Sequence, residues 1–153
     1  MKITASVEYA MQGLLEIAKS SEKGIPISAG AISKSQEIPL KFLESILLKL
    51  KKGSFVKSIR GNSGGYVLSR EPSQIFIADI IRCIEGPLAA VADRAPESTK
   101  YKGNAKHLTE AWIATRVALR EVLEKISLDD LSKGQYSKEI ETRLKLKDAW
   151  KRR

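Results

Sequence analysis

The stretch Arg60-Gly61-Asn62-Ser63-Gly64-Gly65-Tyr66 most constrains what this chain can fold into, because it sets a basic, glycine-rich turn directly after a lysine-studded amphipathic segment. Glycines at 61, 64 and 65 permit positive φ and close backbone approach, as a tight hairpin demands. Residues 55–59 and 66–68 supply the β-branched and aromatic side chains of two short strands around it. Before them, residues 40–52 repeat at helical spacing: Leu43, Ile46, Leu47 and Leu50 form an inward face and leave Lys41, Ser45, Lys49 and Lys52 on open faces. Pro39 suits the first turn of that helix, and Gly53 stops it. Upstream, Ser28 is placed to cap a short helix over 29–35 that ends near 36–38. Two helices joined by a tight turn, the second one basic, are the parts of a helix-turn-helix, and the hairpin that follows without a long loop makes it the winged variant.

The remaining segments fit around this unit. Residues 5–20, with Thr4 as cap, carry Val7, Ala10, Met11, Leu14, Leu15 and Ala18 at helical spacing and supply a core. Ile77, Ile80, Ile81 and Ile84 predict a further short helix closed by Gly86-Pro87. The polar residues 92–104 read as an exposed connection. Beyond it, Leu108, Trp112, Thr115, Leu119, Val122 and Ile126 step by alternating fours and threes, the seam of a helix packing against a partner helix. The expected organisation is therefore a mainly α chain with a small β-hairpin wing: a DNA-binding domain over 1–87, a connection over 88–104, a dimerisation helix with its end over 105–132, and a basic tail over 133–153. In the tail, Leu144, Leu146 and Trp150 beside Lys151-Arg152-Arg153 suit a docking helix, a further DNA contact or a frayed end.

Charge points to the partner. The chain carries 27 Lys and Arg against 18 Asp and Glu, a net of +9. Between Lys41 and Arg70, seven basic residues face a single acid, Glu44, so the excess sits in the second helix of the pair and the wing, where phosphate would lie. Lys41, Phe42 and Ser45 are assigned to a major-groove face, Lys reaching guanine acceptors and Phe a thymine methyl. Lys49, Lys52 and Lys57 are assigned to phosphates, and Arg60 with Gly61, Asn62 and Ser63 to the wing contact. Ser28, Pro39, Ser58 and Tyr66 complete the expected DNA-binding set, Tyr66 also suiting a strand residue packed under the wing. An enzyme is disfavoured: there is one histidine, no nucleophile in an activating motif and no phosphate loop. A winged-helix module that binds protein without operator preference is the alternative. The single cysteine, Cys83, excludes an intramolecular disulfide and reads as a packed thiol on an apolar helix, with redox sensing the competing role. The absence of a signal peptide and of a long apolar run predicts a cytoplasmic protein without a membrane partner.

Several spaced motifs in one order carry a resemblance over residues 1–131. They are Lys2-Ile3-Thr4 with Tyr9-Ala10, Leu40-Lys41-Phe42-Leu43-Glu44, Val56-Lys57-Ser58-Ile59-Arg60-Gly61 with Gly64-Gly65-Tyr66, Ile84-Glu85-Gly86, and Ile126-Ser127-Leu128-Asp129-Asp130-Leu131. In these the chain resembles the winged-helix bacterial regulators of the IscR, NsrR and CymR family. The resemblance implies a homodimeric transcription factor, most often a repressor, with the long helix crossing its partner and with Lys2 and Thr4 near the DNA backbone. Many relatives hold an iron–sulfur cluster through three loop cysteines. Here that loop has none; His107, Glu110 and Glu8 fall near further ligand positions, and the expectation is no cluster, no metal and no other cofactor. A small-molecule or protein effector remains open, a cavity between the long helix and the DNA-binding domain being one place for it.

Overall fold

The computed structural model describes residues 2–151. Helix α1 (Ala5–Ser21) begins where the Thr4 hydroxyl accepts the Val7 amide at 3.4 Å. Its Val7, Ala10, Leu14, Ile17 and Ala18 turn inward. Helix α2 (Ala29–Gln36) is capped by Ser28, which accepts the Ala31 amide at 3.2 Å, and ends where Glu37 adopts φ 54°. That left-handed residue makes the sharp turn into α3 (Leu40–Lys52). Pro39 is the residue before the helix rather than part of its first turn: its carbonyl accepts from the amides of Phe42 and Leu43, both at 3.0 Å. Leu43, Ile46, Leu47 and Leu50 are buried as the spacing predicts.

The wing is the antiparallel pair β1 (Val56–Ile59) and β2 (Gly65–Leu68), in register Lys57 with Val67 and Ser58 with Tyr66. It is anchored by a bridge that local sequence does not predict: Tyr66 and Ile27 exchange amide-to-carbonyl hydrogen bonds of 2.8 and 3.1 Å. The glycines divide the work. Gly61 takes φ +115° at the tip, whereas Gly64 and Gly65 serve close approach: a Cβ on Gly65 would lie under 3.0 Å from three backbone atoms of Ile27.

After a short 3-10 turn, α4 (Ile77–Glu85) completes one core with α1 and α3. The connection follows, with 3-10 turns at Pro96–Ser98 and Gly103–Ala105, and is pinned to α5 (Leu108–Leu123) by Thr109, whose hydroxyl donates to the Thr99 carbonyl at 3.1 Å. Helix α5 is shorter than the seam that marked it. Ile126 lies beyond its end and is buried within this chain: the Ile126 carbonyl accepts the Ile77 amide at 3.0 Å, and the Leu128 amide donates to the Ile75 carbonyl at 2.8 Å. This pairing carries α6 (Leu128–Lys133) back onto the first helices, where Leu128 joins their core. Residues 126–133 therefore pack against the body formed by the first helices and do not continue α5.

The tail docks through α7 (Lys138–Leu144), by buried Ile140 and by pairs Lys125–Glu139 at 2.6 Å and Arg143–Glu121 at 3.2 Å. Beyond it Trp150 is 83% exposed, its indole N–H donating to the Leu144 carbonyl. Arg152 and Arg153 lie outside the described residues. No helix among the described residues is long and apolar enough to cross a membrane.

Candidate nucleic-acid interface

The buried stripe of α3 fixes which side chains face outward. Lys41, Phe42, Ser45, Lys49 and Lys52 are exposed, together with Leu40 and Leu48, which sequence reasoning left out. Phe42 is held rather than loose: the Tyr9 ring meets it edge to face, 5.7 Å between centroids and 88° between planes. Ser45 donates its hydroxyl to the Phe42 carbonyl at 2.7 Å, so its oxygen faces outward mainly as an acceptor. The apolar and cationic surface at the start of α3 suits thymine methyls and guanine acceptors.

The lysines divide in a way the sequence does not indicate. Lys49 turns aside: its ammonium donates to the Ile84 carbonyl at 3.4 Å, against the C-terminal end of α4. Lys52 stays on the open face. Lys51, which was absent from the expected set, reaches the wing and donates to Ser58 Oγ at 2.6 Å. On the wing itself Lys57, Ser58, Arg60, Gly61, Asn62 and Ser63 are exposed. Tyr66 is not at the tip with them; it is half-buried against the core, where the bridge to Ile27 holds it. Three other members of the expected set have local duties. Thr4 and Ser28 cap helices, and the Thr4 hydroxyl also donates to the Glu85 carboxylate. Pro39 shapes the turn before α3. Lys2 is exposed beside the start of α1.

Cys83 sits behind this surface. Its thiol donates to the Lys49 carbonyl at 3.6 Å and lies where a Cβ on Gly53 would collide with it. Burial pushes the thiol up, Lys49 and Arg70 pulling weakly the other way, which favours the packed thiol over a reactive thiolate. The positions that fall near ligand sites of relatives are not grouped. His107 Nδ1 lies 3.6 Å from Glu110 Oε1, both largely exposed, and Glu8 is exposed on α1. Among the described residues no three His, Cys, Asp or Glu side chains are grouped to hold a metal. This donor set does not fit an iron–sulfur cluster, whose irons take thiolates.

Of the predicted seam, Leu108, Trp112, Thr115, Leu119 and Val122 lie on α5. None of the helix's residues is buried, and Leu108 and Trp112 are each 36% exposed. Trp112, Thr115 and Leu119 form one wall of a cavity of about 530 Å³, facing Val7 and Ile81 of the body.

Known proteins resemble the chain along most of its length. The Rrf2 family, described as an iron-dependent transcriptional regulator, matches residues 3–134. The HTH-type transcriptional regulator CymR of Bacillus subtilis is 38% identical over 132 residues, covering 86% of this chain and 90% of the relative. IscR of Xenorhabdus nematophila, an HTH-type transcriptional regulator, is 32% identical over 154 residues, covering 100% of this chain and 90% of that protein. The solved structure of CymR (YrzC), named as the global cysteine regulator of B. subtilis, superposes with a TM-score of 0.73 at 36% identity, over 88% of this chain and 98% of that one.

Proposed function

The chain belongs to the Rrf2 family of DNA-binding transcriptional regulators, which are not enzymes, and from that premise we propose that it is a cytoplasmic, homodimeric repressor reading a palindromic operator. One observation supports the dimer: no residue of α5 is buried, its apolar Leu108, Trp112 and Val117 are exposed, and Leu119 and Val122 are only half-buried, so the helix has apolar surface that a second copy would cover. We assign the cavity beside α5 to the partner's helix rather than to a small effector, because Trp112, Thr115 and Leu119 belong both to the seam and to the cavity wall. Pairing two protomers about a twofold axis sets two copies of α3 and two wings side by side, suited to half-sites about 34 Å apart.

Within each half-site, Lys41, Phe42 and Ser45 read bases, Arg60 with Gly61, Asn62 and Ser63 engages the adjacent groove, and Lys52 and Lys57 hold phosphates. The reading includes no resident iron–sulfur cluster, since thiolate ligands are missing from the loop before α5 and Cys83 lies on α4. Selection of binding sites from random duplex DNA tests the proposal. A twofold-symmetric consensus is expected; a flat profile would instead favour a winged-helix module that binds protein.

A further inference from the structure

The outer base of the wing holds a second charged feature, which borders the tip at Arg60 and includes two further cations. The last turn of α3, the loop after it, β1 and the exit from β2 enclose an open groove of about 720 Å³. Lys51, Lys57, Arg60 and Arg70 line it, with Ser54, Ser58 and Ser69 as hydroxyls, and no acidic residue is among its lining side chains. Two of the cations are held by contacts. The Arg70 guanidinium lies 4.6 Å from the centroid of the Phe55 ring, and Phe55 is itself buried. The contact with the ring face localises the guanidinium charge, and its N–H donors can still bind an anion. Lys51 is tethered by its bond to Ser58 Oγ. Four like charges around one groove repel each other in the free protein, and a bound anion relieves that repulsion.

We propose that this groove seats a DNA backbone phosphate, with Arg70 and Lys51 as the gripping residues, outside the contact made by the wing tip. The proposal rests on the DNA-binding reading and extends it to two residues with no other assigned role. Lys51 lies ten residues beyond Lys41, ~15 Å along α3 at the helical rise. At that distance, and about 80° round the helix from Lys41, it would meet the backbone flanking the bases assigned to Lys41 rather than the bases themselves, so the groove adds affinity without sequence preference.

The test compares full-length wild type with Arg70→Gln, Lys51→Gln, Arg70→Lys and Arg60→Ala, by fluorescence anisotropy over a range of salt. The duplexes are the selected operator and an unrelated sequence, and thermal unfolding checks that each variant is folded. Arg70→Gln and Lys51→Gln should each weaken both duplexes by the same factor, about three- to tenfold, and each lower the salt slope by part of the roughly 0.9 that one phosphate carries. Arg70→Lys, which keeps the charge, should restore the slope. A scan with single neutral methylphosphonate linkages should find one position that costs wild type affinity and costs Arg70→Gln clearly less, the remainder being the share of Lys51. If Arg70→Gln keeps the wild-type slope and affinity while Arg60→Ala loses operator preference, the groove is not a phosphate seat although the wing reading stands. If wild type prefers no sequence and Arg60→Ala changes nothing, the wing reading itself fails.

Discussion

Gly65 leaves no space for a side chain, because the Ile27 backbone that pairs with Tyr66 passes directly over it. Gly65→Ala should therefore push Ile27 off β2 and destabilise the fold by about 1–3 kcal/mol, the usual cost of overpacking. Chemical denaturation reads this directly, and a variant with an unchanged midpoint would contradict the close approach. Glycine at this site was legible in the sequence, but its reason was not. Sequence reasoning allowed positive φ or close contact at all three wing glycines, and only Gly61 has the first. Lys49 and Lys51 teach the same lesson. Both are exposed on one basic helix, yet the carbonyl that takes Lys49 lies 35 residues away on α4 and the hydroxyl that takes Lys51 lies on the wing. Helical spacing sorts inward from outward; it cannot sort outward residues among neighbours brought by the fold.

Among the elements, α5 makes the strongest demand on a partner. Its spacing was readable because four-three alternation survives in the sequence whatever the tertiary context. Its end was not, since Ile126 continues the alternation while being drawn into pairing with residues 75–77. A pattern confined to one segment cannot register that competing contact. If α5 pairs with a second copy, Trp112 is the large aromatic at the contact, and Trp112→Ala should cost the dimer about 2 kcal/mol or more. That is roughly thirtyfold in the dissociation constant. Analytical ultracentrifugation would report it, with operator affinity falling in parallel and far-UV circular dichroism of the protomer unchanged. An unaltered association constant would move the interface away from this face.

For the whole molecule, the attachment of α5 and the tail differs in kind from that of the body. The first helices share an apolar core, whereas α5 meets it through half-buried Leu123 and is tied at its flanks by carboxylates: Glu97 to Arg116 at 2.6 Å and Glu124 to Arg82, with Glu139 of α7 bound to Lys125 at 2.6 Å. All three carboxyls are held below their ordinary value of 4.5: Glu97 first by its own backbone amide and then by Arg116, Glu124 by Arg82, and Glu139 by Lys125. A carboxyl with a depressed folded pKa lends stability that is fully present above its unfolded pKa and is lost as pH falls through the folded one. The contribution is therefore constant through neutral pH and disappears below about pH 4.5. Each exposed pair is weak alone and screened by salt. Their loss together should release α5 and the tail while the body, whose helices are held chiefly by the shared apolar core, stays folded. Hydrogen exchange measured from pH 5 down to about pH 3, corrected for the intrinsic rate, should show residues 108–123 and 138–144 losing protection before α1 and α3 do. Added salt should bring that loss to higher pH. A single transition in which every helix loses protection together would mean that α5 is held by packing instead. Under the dimer reading this acid-sensitive attachment also sets the spacing of the two wings, so operator affinity should decline over the same pH range, ahead of any loss of the body's helices.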